Sequence, residues 1–511
     1  MDRSRRTRSQ APQGRWQTRA AQGRSQPSAP QGSSRPSAPQ GRSQPSAARA
    51  GAAAALALLA LALPVLAPAS AGAVAERVVA VPSPGPGPAR FDQVYVDEVG
   101  PADAKRVLVL MPGTDGGAGD FALIAREIVR RVPGLAVWSI DRRSQALEDT
   151  SVFARLEAGQ VTLQQAFDYY LGWITTGSPA DHFQFLDPST VPFAREWGMK
   201  TALDDARQVV LLARRGGRHV VLGGHSLGAS LAAAYAAWDF DGRPGYKDLD
   251  GLVLIDGGLL GTFDAYDLAQ AKQAIADLQT SNPFADPLGL GVPEAGGLFA
   301  EIAGYYARLA PAASAATLQS FPLLPASFNP PFPVTNRALL GFAFDRDTSP
   351  LEADLHVNAG SLAAAGTPRD WVDGGLTPVA NLAQLFGHEP ANAVEWYFPK
   401  RLTIDTNGAD QMRMNDVARF LGLRLEHTAE INVPIYAFQT DLTSGHVLRG
   451  AQRLVDEART TQREALLVNG APAFSHLDPL TAAPEANTFL SGLQEFLARY
   501  VKPPAPPPGH G

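Results

Sequence analysis

Short apolar runs alternate with segments of helical periodicity in the first half of the chain. The runs 106–111 and 135–140 predict strands, and the segment 121–131 between them repeats apolar residues at helical spacing. A further helix is predicted over 201–215, followed directly by the apolar run 219–223. Strands that alternate with helices are typical of a parallel sheet covered by helices on both faces.

The same alternation resumes near the end of the chain. Strands are predicted over 431–438 and 465–468, with a helix over 447–460 between them. An amphipathic helix over 484–501 closes the pattern. In the first half, the last predicted strand is 252–255. The α/β core is therefore expected in two parts, 90–258 and 430–501.

The stretch 259–429 interrupts this core. It mixes helical segments, 268–279 and 295–309 among them, with proline-rich turns, and it is too long for a loop inside a compact domain. We therefore expect a large helical cap inserted before the penultimate strand. Its many aromatic residues are interpreted as the core of the cap, with the lining of a substrate pocket as the alternative.

The pentapeptide Gly224-His225-Ser226-Leu227-Gly228 directly follows an apolar strand and leads into a helix rich in alanine. A strand, a Gly-x-Ser-x-Gly turn and a helix in that order predict a nucleophile elbow, in which glycines leave room for a very sharp turn. The serine then lies at the tip of the turn and at the N-terminus of the helix. For His225 we expect a packing role.

A serine hydroxyl needs a general base, and the base needs a carboxylate to orient it. Asp441 and His476 each follow a predicted strand, so both are expected at the sheet edge that carries Ser226. Asp256, after the preceding strand, is the alternative to Asp441. The alternative to His476 is His446, which is expected to begin a helix instead.

With this elbow and the order Ser, Asp, His, the chain resembles the α/β-hydrolase superfamily over about 106–501, apart from the insertion. The resemblance implies an α/β-hydrolase fold with a mostly parallel, doubly wound sheet. It also implies Ser226 as nucleophile, His476 as general base and then acid, and Asp441 as the residue that orients the imidazole. Some members of the superfamily carry the acid where this chain has Asp256, so that alternative stays open.

An oxyanion hole needs two backbone N–H groups. One is expected from Leu227, directly after the serine, and the other from the glycine-rich loop 112–117. The superfamily commonly has His-Gly where this chain has Pro112-Gly113. That departure leaves Thr114 and Asp115 as donors, and Thr114 is the one we expect.

Charged residues cluster at 141–144, with Glu148 and Asp149 shortly after them. The cluster is interpreted as an ion-paired loop that braces the cap. Binding of polar substrate groups is the alternative interpretation.

Composition narrows the class of protein. The chain has 511 residues, 45% of them hydrophobic, which is enough for a large buried core. Without cysteine it has no disulfide, thiolate metal site or lipid-modified cysteine. Ten of the arginines lie in residues 1–50, so the remainder of the chain has a net charge of about −15. This negative charge argues against nucleic-acid and anionic-membrane partners. The histidines have no metal-ligand spacing, and no metal or organic cofactor is expected.

The chain ends differ from the core. Residues 1–50 form a basic, low-complexity segment with a near-repeat of nine residues, predicted to be disordered unless the start site has been placed too early. Residues 51–75 follow the basic Arg49 and combine an apolar run with small residues, which predicts a cleaved signal peptide rather than an uncleaved anchor. Residues 502–511 are a proline-rich tail. We therefore expect a bacterial protein that is secreted or periplasmic.

Together these features predict a secreted serine hydrolase that cleaves carboxylic esters, of the esterase or lipase type, through an acyl-enzyme. The expected partner is a small-molecule or lipid-like ester, without a stable membrane partner once the signal is removed. An acyltransferase or peptidase with the same triad is one alternative. A catalytically silent exported binding protein with this fold is another. The sequence leaves the oligomeric state open.

Overall fold

A twisted eight-stranded sheet organises the protein, because the apolar runs along the sequence pair side by side. The computed structural model describes residues 74–262, 265–351 and 355–501, all within the unit Ala69–Gly511. The predicted disordered segment 1–50, all of the predicted signal 51–75 but its last two residues, and the tail 502–511 lie outside the described residues.

Ten strands are described: β1 (Glu76–Pro82), β2 (Gln93–Val99), β3 (Arg106–Met111), β4 (Leu135–Asp141), β5 (His219–His225), β6 (Gly251–Ile255), β7 (Gly360–Gly366), β8 (Arg369–Asp373), β9 (Ile435–Gln439) and β10 (Ala465–Asn469). The sheet has the order β1-β2-β4-β3-β5-β6-β9-β10, and β7 pairs with β8 in a separate hairpin. The pairs from β4 to β10 are parallel, whereas β1–β2 and β2–β4 are antiparallel. Strands β3, β4, β6 and β9 are buried along their whole length, as expected when helices cover both faces.

Sixteen α-helices are described: α1 (Ala122–Arg131), α2 (Ser151–Glu157), α3 (Leu163–Phe167), α4 (Trp173–Thr176), α5 (Met199–Ala213), α6 (Leu227–Ala237), α7 (Leu268–Thr280), α8 (Ala295–Leu309), α9 (Ala316–Gln319), α10 (Asn336–Phe344), α11 (Val379–Phe386), α12 (Lys400–Ala409), α13 (Asp416–Leu421), α14 (His446–Glu457), α15 (Asp478–Thr481) and α16 (Thr488–Tyr500). In the described part of the chain, none is long and apolar enough to cross a bilayer.

The predicted fold class, a mostly parallel doubly wound sheet, is confirmed. Two differences concern its edges. The antiparallel strands β1 and β2 extend the sheet, so that it begins at Glu76 and not near residue 90. Both strands also pair antiparallel, so the alternation of strands and helices along the sequence does not reveal them.

The long insertion between β6 and β9 is divided between two cores. Its flanking helices α7, α12 and α13 contribute to the apolar core on one face of the sheet. Helices α8, α10 and α11 instead share a second core with residues from the stretch 151–197, which the sequence leaves irregular. The body above the sheet is therefore built from two separate parts of the chain, and the insertion 259–429 supplies only one of them.

Candidate active site

Ser226 lies at the tip of a sharp turn between β5 and α6. Its backbone φ of 54° falls in the left-handed region, which is strained for a residue with a side chain. A Cβ on Gly224 would overlap the backbone of Gly228, and one on Gly228 would overlap the carbonyl of Met111. The turn therefore requires both glycines, and the predicted elbow is present.

Helix α6 is buried along its whole length, because its alanine-rich sequence lets it pack closely against the sheet. It begins at Leu227, so the first N–H groups of the helix have no intrahelical partner. The amide of Leu227 therefore lies beside the serine at the positive end of the helix dipole.

His476 is paired with Asp256. Its Nδ1 lies 2.6 Å from a carboxylate oxygen of Asp256, and both side chains are almost completely buried. Asp256 directly follows β6, and the amide and hydroxyl of Thr440 both donate to its carboxylate. Burial alone would raise the pKa of Asp256, but the hydrogen bond and charge of His476 and the two bonds from Thr440 outweigh it and lower the pKa. The carboxylate is thus held in its ionised form.

The prediction that Asp441 orients the imidazole is wrong in this structure. Its carboxylate lies 3.9 Å from Arg346, and its side chain is 28% exposed. The charge of Asp441 interacts with that of His356. The physical reason is that Thr440, and not Asp441, lies against Asp256 and donates to its carboxylate, while His476 is paired with that carboxylate and not with Asp441. The alternative considered for the acid, Asp256, occupies the position.

The order along the chain is now Ser226, Asp256, His476, with the serine at a strand–helix elbow and both partners after strands of the same parallel sheet. The chain has the α/β-hydrolase fold. The other predicted alternative, His446, is the first residue of α14, as expected from the sequence.

No protein-family model and no curated protein sequence matches the chain. Among solved structures, a protein from Sulfolobus solfataricus described as a lipase is 15% identical, with 83% of this chain and 94% of that chain covered and a TM-score of 0.46. Epoxide hydrolase A from Mycobacterium thermoresistibile is 14% identical, with 84% and 99% covered and a TM-score of 0.40. A lipase in an open form is 15% identical, with 83% and 99% covered and a TM-score of 0.38. Since these scores are below 0.5, the fold assignment rests on the sheet order and the elbow of the chain itself.

His225 does more than pack beside the elbow. Its Nε2 lies 2.9 Å from the carbonyl oxygen of His476, and the two rings are 4.3 Å apart. Since a carbonyl only accepts, Nε2 of His225 donates this bond. Burial, and then the nearby His476, lower the pKa of His225 to about 3, so its ring is neutral. The residue before Ser226 therefore holds the backbone of the histidine loop.

The predicted oxyanion loop 112–117 lies directly against the serine. A Cβ on Gly113 would lie 3.0 Å from the Cβ of Ser226. Arg142, from the charged cluster after β4, donates to the carbonyls of Pro112 at 2.9 Å, of Gly116 at 3.0 Å and of Gly113. One guanidinium therefore determines the orientation of several peptide groups in this loop.

The orientation of these peptide groups decides which backbone amides of the loop are free to bind a substrate. In a trans peptide the carbonyl and the following N–H point in opposite directions, so the amide of Thr114 points away from Arg142. The amides of Gly116 and Gly117 bond to the carbonyls of Gly113 and Ala393. The amides of Thr114 and Asp115 have no hydrogen-bond partner among the described residues. Both candidates from the sequence thus remain available, and Thr114 stays the predicted donor beside Leu227.

The insertion fixes this loop from the other side. Glu395 accepts the Nε of Arg142 at 2.8 Å and the hydroxyl of Ser144, and its amide donates to the carbonyl of Asp115 at 2.8 Å. The neighbouring Arg143 is instead paired with Asp205 of α5. The two arginines of the charged cluster are therefore ion-paired, and Arg142 connects the insertion to the oxyanion loop. No sequence pattern marks Glu395, because it lies some 250 residues from its partners.

A cavity of about 680 Å³ lies above the serine. Ser226, His476, Thr114 and Leu227 all line it. Its other walls are mostly apolar and come largely from the insertion, including Leu288, Phe299, Leu318, Phe321, Leu324, Phe328, Leu339, Phe344, Leu351 and Phe386. Some aromatic residues of the insertion thus line the pocket, whereas others, such as Tyr305 and Trp396, are buried in its core. Among the described residues, no group of three acidic or histidine side chains could hold a metal ion.

Proposed function

We propose that the protein is a serine hydrolase that cleaves carboxylic esters with a sizeable apolar part through an acyl-enzyme. One observation carries this proposal: Ser226, at the tip of a strained elbow, shares one cavity with a buried His476–Asp256 pair. A nucleophile, a base and an orienting carboxylate are the groups that acyl transfer needs.

In the proposed reaction, Ser226 attacks the ester carbonyl while Nε2 of His476 accepts the hydroxyl proton. Asp256 keeps the proton of His476 on Nδ1, which leaves Nε2 free as the base, and stabilises the imidazolium that forms. The amides of Leu227 and Thr114 donate to the oxyanion of the tetrahedral intermediate. The imidazolium then protonates the leaving alcohol, and the same histidine activates water for deacylation.

The cavity supports the substrate class. Apolar walls bury an apolar acyl or alcohol group, at about 0.8 kcal/mol for each methylene removed from water. A volume of about 680 Å³ accommodates a group much larger than acetyl. We therefore propose esters of medium or long chains, and the predicted signal at 51–75 adds export to this proposal.

A fluorophosphonate probe tests the nucleophile. The purified protein, starting near Glu76, is expected to be labelled, and Ser226→Ala is expected to lose labelling and ester hydrolysis together. Ser230→Ala is the matched control, because Ser230 is a buried serine of the same helix that bonds to the carbonyl of Gly258 and does not line the cavity. A series of ester chain lengths, assayed in water and with added alcohols, then separates hydrolysis from acyl transfer. An unlabelled wild-type protein without esterase activity would contradict the proposal.

A further inference from the structure

Two carboxyl groups, one in the oxyanion loop and one just after it, have no hydrogen-bond partner in the described part of the chain. Asp115 and Asp120 both line the cavity, and neither carboxylate accepts a hydrogen bond from any residue that the structure describes. Asp120 is only 8% exposed, and its carboxylate packs against the backbone of Gly116. Buried carboxyl groups in proteins are nearly always hydrogen-bonded, so Asp120 needs a partner that the described residues do not supply, and the half-buried Asp115 lies in the same cavity wall.

Arg142, the cation beside these two carboxyl groups, does not satisfy them. Arg142 has five N–H donors, and its hydrogen bonds go to Glu395 and to carbonyls of the oxyanion loop. It is close enough to oppose the rise in pKa of both Asp115 and Asp120, yet it donates to neither. Glu395, the third acid nearby, is satisfied by Arg142 and Ser144. Among the described acids that line the cavity, Asp115 and Asp120 are therefore the two without a hydrogen-bond partner.

The two groups also differ from the rest of the cavity wall. Burial, and then the charge of Glu395, raise the pKa of Asp115 to about 7, and burial raises that of Asp120 well above its usual value. Most other side chains around the cavity are apolar and offer no hydrogen-bond donor. A substrate group that binds against these two carboxyl groups is therefore expected to donate hydrogen bonds to them.

We propose that Asp115 and Asp120 form a subsite for a hydrogen-bond donor of the substrate, a hydroxyl or a protonated amine carried close to the ester group. This inference rests on the proposed esterase function and narrows it. The substrate then combines an apolar body, which fills the cavity, with a polar group beside the scissile bond. A plain fatty ester would leave both carboxyl groups unsatisfied.

Matched esters test this subsite. On the acyl side, 3-methylbutanoyl, 3-hydroxybutanoyl and 3-aminobutanoyl esters of one alcohol differ only in a methyl, hydroxyl or ammonium group. On the alcohol side, 2-methylpropyl and 2-hydroxypropyl butanoates form the corresponding pair. We expect at least one donor-bearing ester to exceed its methyl counterpart by about tenfold in kcat/KM. The acyl-side triplet distinguishes a hydroxyl from an ammonium ligand.

The variants Asp120→Leu and Asp115→Gly remove one carboxyl group each. Glycine suits position 115, because the backbone φ there is 54°. The measured quantity is the ratio of kcat/KM for donor and methyl esters within one variant, so a general loss of folded protein cancels. Each variant is expected to reduce the ratio at least threefold. Glu301→Gln is the control that should keep the ratio, since Glu301 is a buried acid of the insertion that bonds to Trp396 and does not line the cavity.

The outcomes separate the two proposals. Equal kcat/KM for donor and methyl esters in the wild-type protein overturns the subsite and leaves the esterase proposal standing. A preference that survives both substitutions also overturns it. Hydrolysis of none of these esters, without fluorophosphonate labelling of Ser226, overturns the esterase proposal itself.

Discussion

Replacing Asp256 by asparagine distinguishes a catalytic carboxylate from a structural one. One oxygen of Asp256 accepts the backbone N–H of Thr440 at 2.7 Å, a donor that cannot rotate away. The other accepts Nδ1 of His476 and the Thr440 hydroxyl. In Asp256→Asn, the amide oxygen must stay on the Thr440 N–H, so the NH₂ group faces Nδ1 of His476.

An NH₂ group only donates, so Nδ1 of His476 must then accept. The imidazole proton moves to Nε2, the nitrogen that has to take the proton of Ser226, and the base is lost while the packing is kept. Loss of the correct tautomer in the chymotrypsin triad lowers kcat by about 10⁴, and we expect about 10³ to 10⁴ here, or roughly 4 to 5.5 kcal/mol in the barrier. KM should change much less, because Asp256 does not line the cavity.

The assay is steady-state hydrolysis of a soluble ester, with ¹⁵N NMR of the histidines to report the tautomer. Asp441→Asn is the control, and it should stay within about threefold of the wild-type kcat, since Asp441 faces His356 and Arg346 rather than His476. A large loss in Asp441→Asn together with near-normal turnover in Asp256→Asn would refute the geometric assignment.

Three further predictions test the loop, the turn and the polar wall. Arg142→Lys should lower kcat about 10- to 100-fold with little change in KM, because an ammonium group cannot hold the same set of carbonyls. In the control Arg143→Lys, the urea midpoint of unfolding should shift while kcat is kept. Gly228→Ala should destabilise by about 3 kcal/mol or more in urea titration, whereas Gly374→Ala, with open space around its Cβ, should change stability by under about 1 kcal/mol. As the pH rises through about 7, the carboxyl group of Asp115 ionises and attracts an ammonium group more strongly than a hydroxyl group. The ratio of kcat/KM for the ammonium ester to that for the hydroxyl ester should therefore rise severalfold. A ratio that does not change with pH would contradict this prediction.

The sequence predicts those parts of the fold that depend on local patterns. Apolar periodicity gives β3, β4 and β6 within a residue or two, and α8 with both of its ends. The elbow is also predictable, because glycines and a serine at fixed spacing meet a steric requirement of one turn. In these cases a short stretch of chain contains the whole physical reason.

The choice between Asp256 and Asp441 depends on contacts that no local pattern records. It follows from the pairing of β6 with β9, which places the amide of Asp256 on the carbonyl of Phe438 and Thr440 against the carboxylate. Each acid follows a strand of the same sheet, so the sequence alone treats them alike. The pair Arg142–Glu395 is hidden for the same reason, since its members meet only after the insertion has folded back onto the loop.

These contacts connect the insertion to both loops of the proposed catalytic site. On the oxyanion side, the carbonyl of Ala393 accepts the amide of Gly117, and Glu395 holds the arginine beneath the loop. On the histidine side, the amide of Leu477 donates to the carbonyl of His356, directly after His476. Both loops that flank Ser226 are thus fixed by residues between β6 and β9. Removing the insertion would therefore release the amides and the imidazole that Ser226 needs, so a shortened chain should lose turnover rather than gain access to larger esters.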